Sequence, residues 1–147
     1  MTRDRWLAIV SGTQLAAGLV GMGVAVRRRH HYDFLFMHGS PEHVARDTVL
    51  MGTAFSAPIT MLAAQAVATL RLLRGPSRSA RLVVAGLGIA MVPGYLGEKL
   101  VRRRLTRSGH DTLETPLVIA GVMLAALTAL LGISALRRNV RQPAFGA

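Results

Sequence analysis

Residues 27–47, RRRHHYDFLFMHGSPEHVARD, decide how the rest of the chain is read. They hold four of its five histidines and three of its seven carboxylates, and an uncharged run lies on either side. Residues 6–26 form the first run and residues 48–70 the second; at about 1.5 Å per residue each makes roughly 30 Å of helix or more. Uncharged apolar runs of about 18 residues or longer read as membrane spans. Two more blocks follow, at residues 82–101 and 115–136, the first of them ending in Glu98 and Lys99 ahead of an arginine cluster.

The expected fold is therefore a single all-α domain over residues 1–147, a four-helix transmembrane bundle with spans at 6–26, 48–70, 82–101 and 115–136. Each half runs span, arginine triplet, loop with His and Asp, then span. Arg46-Asp47-Thr48 echoes His110-Asp111-Thr112, which hints at two parallel αα-hairpin repeats. The first run is longer than the apolar core of a secretory signal, and Arg27-Arg28-Arg29 follows it like a stop-transfer signal. A retained first span is expected.

Composition supports lipid as the solvent. Hydrophobic residues make up 51% of the chain, yet they are gathered into charge-free blocks instead of recurring around a soluble core. Net charge is +11, and of the eighteen cations only Lys99 is lysine. The arginines flank the apolar blocks, where guanidinium groups meet lipid phosphates. Arg27, Arg28, Arg29, Arg102, Arg103 and Arg104 are the expected anchors to anionic headgroups. No basic face carries interleaved aromatics, so nucleic acid is not an expected partner. The chain has no cysteine, which excludes disulfides, thiolate metal sites and thiol nucleophiles.

Local signals set the expected boundaries. Ser40-Pro41-Glu42 reads as a helix start, with Ser as N-cap and Pro in the first turn. His38-Gly39 reads as a turn before it. Thr53, Ser56, Ala57, Thr60 and Ala64 share one helical face and form the expected packing surface of the second span, with Met51, Phe55, Ile59 and Leu62 opposite. Pro58 should bend that helix, and Pro93-Gly94 should interrupt the third. The last helix starts with either Asp111 or Thr115 as cap; Pro116 favours Thr115.

Four passes put both termini and the 71–81 turn on one side. Nine cations fall there and nine on the other, so the positive-inside rule ties. The short, purely basic turn favours the cytoplasm for the termini; insertion both ways as an antiparallel pair is the alternative.

Candidate chemistry gathers opposite the termini. Glu98, near the Pro93-Gly94 break, has the character of a proton or ion site in a transporter. The plainer expectation is a headgroup-layer pair with Arg102 at i,i+4. His38, His43, Asp47, His110 and Asp111 offer metal-ligating atoms, although no HExxH or comparable framework joins them. The plainer expectation for them is a loop whose acids partner its arginines. No phosphate loop, nucleophile elbow or triad is present, and no cofactor is expected. The leading expectation is a non-enzymatic accessory or lipid-contacting subunit, associated with itself or a larger membrane complex. A small transporter using Glu98 is the alternative, and an interfacial metalloenzyme acting on a lipid through the histidines is the third reading.

Overall fold

A computed structural model describes residues 3–34, 37–39, 42–43, 48–49 and 51–141. The fold is all-α, with helices α1 (Arg3–Arg27), α2 (Ile59–Arg74), α3 (Arg78–Gly97), α4 (Lys99–Arg104) and α5 (Glu114–Arg141). A 3-10 turn, Arg107–Gly109, lies between α4 and α5. A small antiparallel ribbon pairs β1 (Asp33–Phe34) with β2 (Met37–His38), Asp33 opposite His38.

Each long helix packs against two others: α1 against α2 and α5, and α3 against α2 and α5. Neighbours run antiparallel, because Gly12 of α1 lies by Thr69 of α2 while Gly18 lies by Leu62. Between α3 and α5, Gly88 lies on Ala129 and Gly132 on Ala85. A Cβ on Gly88 would stand 2.6 Å from the Ala129 amide nitrogen, so glycine sets how closely these two helices approach. All of Gly121, Ala125 and Ala129 are buried, as expected of small residues spaced by four on a packed face.

Large apolar side chains face outward along every long helix. Trp6 is 52% exposed and Met123 66%, and Leu19, Val20, Val67, Leu82, Ile89 and Leu130 also face outward. The interior is apolar too, with Leu7, Leu72, Val84 and Val118 buried, and it also holds Ser11, Gln14, Gln65, Thr69 and Thr128. Ser11 and Thr69 hydroxyls bond at 2.8 Å, Gln65 Nε2 donates to the Ser11 carbonyl at 3.1 Å, and Gln14 Nε2 to Met91 Sδ. Such bonds hold helices together where apolar contact with lipid offers no net preference.

Three helices among the described residues are long and apolar enough to cross a membrane: α1, α3 and residues 114–137 of α5. The second expected span is differently built. Helix α2 has 16 residues, about 24 Å at about 1.5 Å per residue, and it begins at Ile59 instead of in the forties. Residues 51–58 are not helical, because Gly52 takes φ +82° and Thr53 and Ser56 pair across a tight turn. Pro58 stands just before α2, where its missing N–H costs nothing, and does not bend it. Ile59 N–H bonds the Thr48 carbonyl. The turn is buried and seats Phe55 on α1, where a Cβ on Gly21 would lie 2.5 Å from the Phe55 carbonyl oxygen.

Other boundaries also move. Helix α3 runs through Pro93-Gly94, and the chain breaks at Glu98 (φ −71°, ψ 126°), which forms an isolated bridge with Phe34. His38 lies in β2, not in a turn. Ser40, Pro41, Arg46 and Asp47 lie outside the described residues, while Glu42 and His43 are exposed in a turn. The loops entering α2 and α5 differ in construction: a tight apolar turn against a short helix and 3-10 turn.

Candidate functional site

Two buried carboxylates stand at the end of the bundle opposite the termini, in unlike surroundings. Glu114 begins α5 and its side chain is 0% exposed. Its Oε1 accepts from Arg28 Nη1 at 2.5 Å and meets His30 Nε2 at 2.9 Å; its Oε2 accepts from Arg104 Nε at 2.6 Å. Local chain geometry delivers these partners. Helix α1 ends with the Arg29 N–H on the Val26 carbonyl and the His30 N–H on that of Ala25, while Arg29 takes φ +54°. This is a Schellman closure with arginine at the left-handed position usually given to glycine. It folds the chain back so that Arg28 and His30 both reach α5. The His30 ring stands edge-on to Phe55, centroids 5.5 Å apart.

Asp111, not Thr115, caps α5. Its Oδ1 accepts the N–H groups of Leu113 and Glu114 at 2.9 and 2.8 Å. Those backbone bonds, with help from Arg28, hold its carboxyl down at about 2. Thr115 Oγ1 completes the cap by accepting the Asp111 N–H and donating to the Arg104 carbonyl. Glu114, in the position from which a capping box would reach back, is instead turned to the cations. Its hydrogen bond, then that of Asp111, raises the pKa of Arg28 further. At the other end, Arg81 grips Asp4 through two bonds of 2.8 and 2.6 Å, joining the starts of α1 and α3.

Glu98 is 6% exposed and bordered by groups already engaged. Its Oε2 accepts the Asp33 N–H at 2.9 Å. Lys99 pairs with Asp33 at 3.0 Å, and Arg102 donates to the Leu96 and Gly97 carbonyls, closing the end of α3. The expected Glu98–Arg102 bond is therefore replaced by a backbone contact for each. Among the described residues no Lys or Arg lies within ion-pair distance of Glu98. Glu98 lines a half-open cavity of about 200 Å³ with walls from the loop after α1, the 51–58 turn, α2 and α3. The Phe34 ring fits there because Gly97 has no side chain: a Cβ would fall inside van der Waals contact with the ring.

The remaining candidates are scattered. Of the expected packing face, Thr53 and Ser56 are buried in the turn, Ala57 is half-buried, and Thr60 and Ala64 face outward. The inward face of α2 is Leu62, Gln65, Ala68, Thr69 and Leu72, with Leu62 and Thr69 packed on Gly18 and Gly12 of α1. Among the described residues no three His, Asp or Glu side chains group to hold a metal ion. His110 and His43 are exposed, Asp111 is a cap, and the His38 side chain and Asp47 are outside the described residues. Arg27, Arg28, Arg29, Arg102 and Arg103 are exposed, with Arg28 also turned to Glu114, and Arg104 is half-buried on Glu114.

Spacing did not single out the cation set of Glu114, the Asp4–Arg81 pair or the interior amides. Gln14 and Gln65, polar groups within otherwise uncharged runs, were the available signal for the last of these. No family model, curated protein or solved structure matches the chain.

Proposed function

We propose that this chain is a multi-pass membrane protein whose four long helices form a transmembrane bundle, acting without catalysis as a lipid-contacting or accessory subunit. The observation that carries this is the apolar exterior of every long helix, around an apolar core that also holds Ser, Thr and Gln. Water disfavours so much exposed apolar surface, whereas lipid favours it. Helix α2 reaches full depth with the help of the 51–58 turn. Phe55 lies beside Gly21, about 9 Å short of Arg27 along α1 at about 1.5 Å per residue. Non-helical backbone at such depth is tolerated when protein buries it, and residues 52–56 are buried.

Exposed arginines at both ends suit anionic headgroups, and both termini lie on the cytoplasmic side in this reading. Alkaline extraction of membranes is the direct test: the protein should stay in the pellet, and release into the supernatant would end the proposal. Single cysteines at Ser79 and Ser108, in a chain with no cysteine of its own, report the two sides. Labelling of Ser108→Cys alone from outside is the expected outcome. A second reading, as a small transporter, is favoured by the cavity that reaches Glu98.

A further inference from the structure

We propose that the cavity between α2 and α3 binds an organic cation of the quaternary ammonium class, with Glu98 as its counter-ion. Three observations converge. The carboxylate is buried, and among the described residues no Lys or Arg stands within ion-pair distance of it and its Oε1 accepts no hydrogen bond. The nearby positive groups, Lys99 and Arg102, are held by Asp33 and by backbone carbonyls. Aromatic and thioether side chains (Tyr32, Phe34, Tyr95, Met51, Met61, Met91) dominate the walls.

The chemistry of the ligand follows from these walls. A metal ion must replace its water shell with close, charged oxygen ligands, and Glu98 is the one carboxylate among the described residues of this cavity. A quaternary ammonium carries methyl groups and a diffuse charge, so it gives up water readily. Aromatic faces and one carboxylate are the partners such ions take. An anion is excluded by Glu98 itself, and a neutral apolar guest would leave the carboxylate uncompensated.

The opening of the cavity to lipid rests on the membrane reading above; the recognition inside it does not. The test uses the full chain in phosphatidylglycerol nanodiscs with radiolabelled benzyltrimethylammonium, beside its uncharged isostere neopentylbenzene. One cation should bind per chain. Glu98→Gln, which keeps an acceptor for the Asp33 N–H, should weaken binding about ten- to hundredfold, as expected for loss of a charge-assisted contact. Gly94→Leu tests the space separately: Gly94 lines the cavity, and a Cβ there meets nothing within 4 Å, so the variant should fold and block binding.

Equal binding of cation and isostere, or undiminished binding by either variant, would overturn the proposal. So would absence of cation binding in protein that alkaline extraction shows to be membrane-inserted; release on extraction would instead count against the membrane reading. Repeating the titration in phosphatidylcholine separates two sources of the same chemistry. Loss of apparent affinity assigns the site to a choline headgroup, and no loss assigns it to a free cation.

Discussion

Glu114 and Glu98 lie at the same end of one bundle, and both are hidden from the exterior. Around Glu114 every direction is answered: Arg28 and His30 on one oxygen, Arg104 on the other. The Glu98 carboxylate accepts one backbone N–H and no other hydrogen bond among the described residues. The contrast separates a carboxylate that ties helices together from one left available. Removing a buried charge from a complete set strands its partners, whereas neutralising a solitary buried charge relieves desolvation.

The largest expected effect breaks the comparison at its strong side. Glu114→Ala should lower stability by about 2–4 kcal/mol in detergent unfolding titrations, since Arg28, His30 and Arg104 lose their shared acceptor. Glu98→Gln should change stability by less than about 1 kcal/mol, because the Asp33 N–H keeps its acceptor. Similar losses from the two variants would show that the carboxylates do not differ in role.

A smaller effect tests the turn that walls the cavity. Gly21→Ala forces a methyl against the Phe55 carbonyl and should cost about 1–3 kcal/mol. Gly23→Ala meets nothing within 4 Å and should be neutral or stabilising by about 0.5–1 kcal/mol. Thermal midpoints of the pair, compared with the parent, check both signs.

Acid probes the cap beside Glu114. A carboxyl held low in the folded state stabilises it fully above its ordinary range and ceases to do so as pH falls through the folded value. For Asp111 that window runs from 3.8 down to about 2. Asp111→Asn should flatten the loss of stability across this window in acid titrations followed by circular dichroism. An unchanged slope would remove Asp111 from the account of acid sensitivity. Among the small effects, Arg29→Gly should raise stability by about 0.5–1 kcal/mol by relieving the left-handed backbone, and a lower midpoint would show that the Arg29 side chain contributes more than its strain costs.

Much of the fold was legible in local pattern. Uncharged runs marked α1, α3 and α5, and Gly121, Ala125 and Ala129 marked a close face. The second run misled because composition does not distinguish a buried turn from a helix: Gly52, Thr53 and Ser56 are as uncharged as their neighbours. That error carried to the packing face: Thr53, Ser56 and Ala57 lie outside the helix, so they share no helical face with Thr60 and Ala64, which turn outward. Pro93 misled in the other direction. A proline removes one donor but does not dictate a break, and the break fell where Phe34 packs on Gly97 and pairs with Glu98.

From its order of residues alone, this protein declares its solvent, because hydropathy sums over neighbours along the chain and long charge-free runs favour lipid over water. Which acid is satisfied and which is left open was decided only by the tertiary fold. Arg28 and His30 are 86 and 84 residues from Glu114, and Asp33 is 65 from Glu98. Pairings across such distances depend on where helix ends meet in space, a relation that no local spacing encodes.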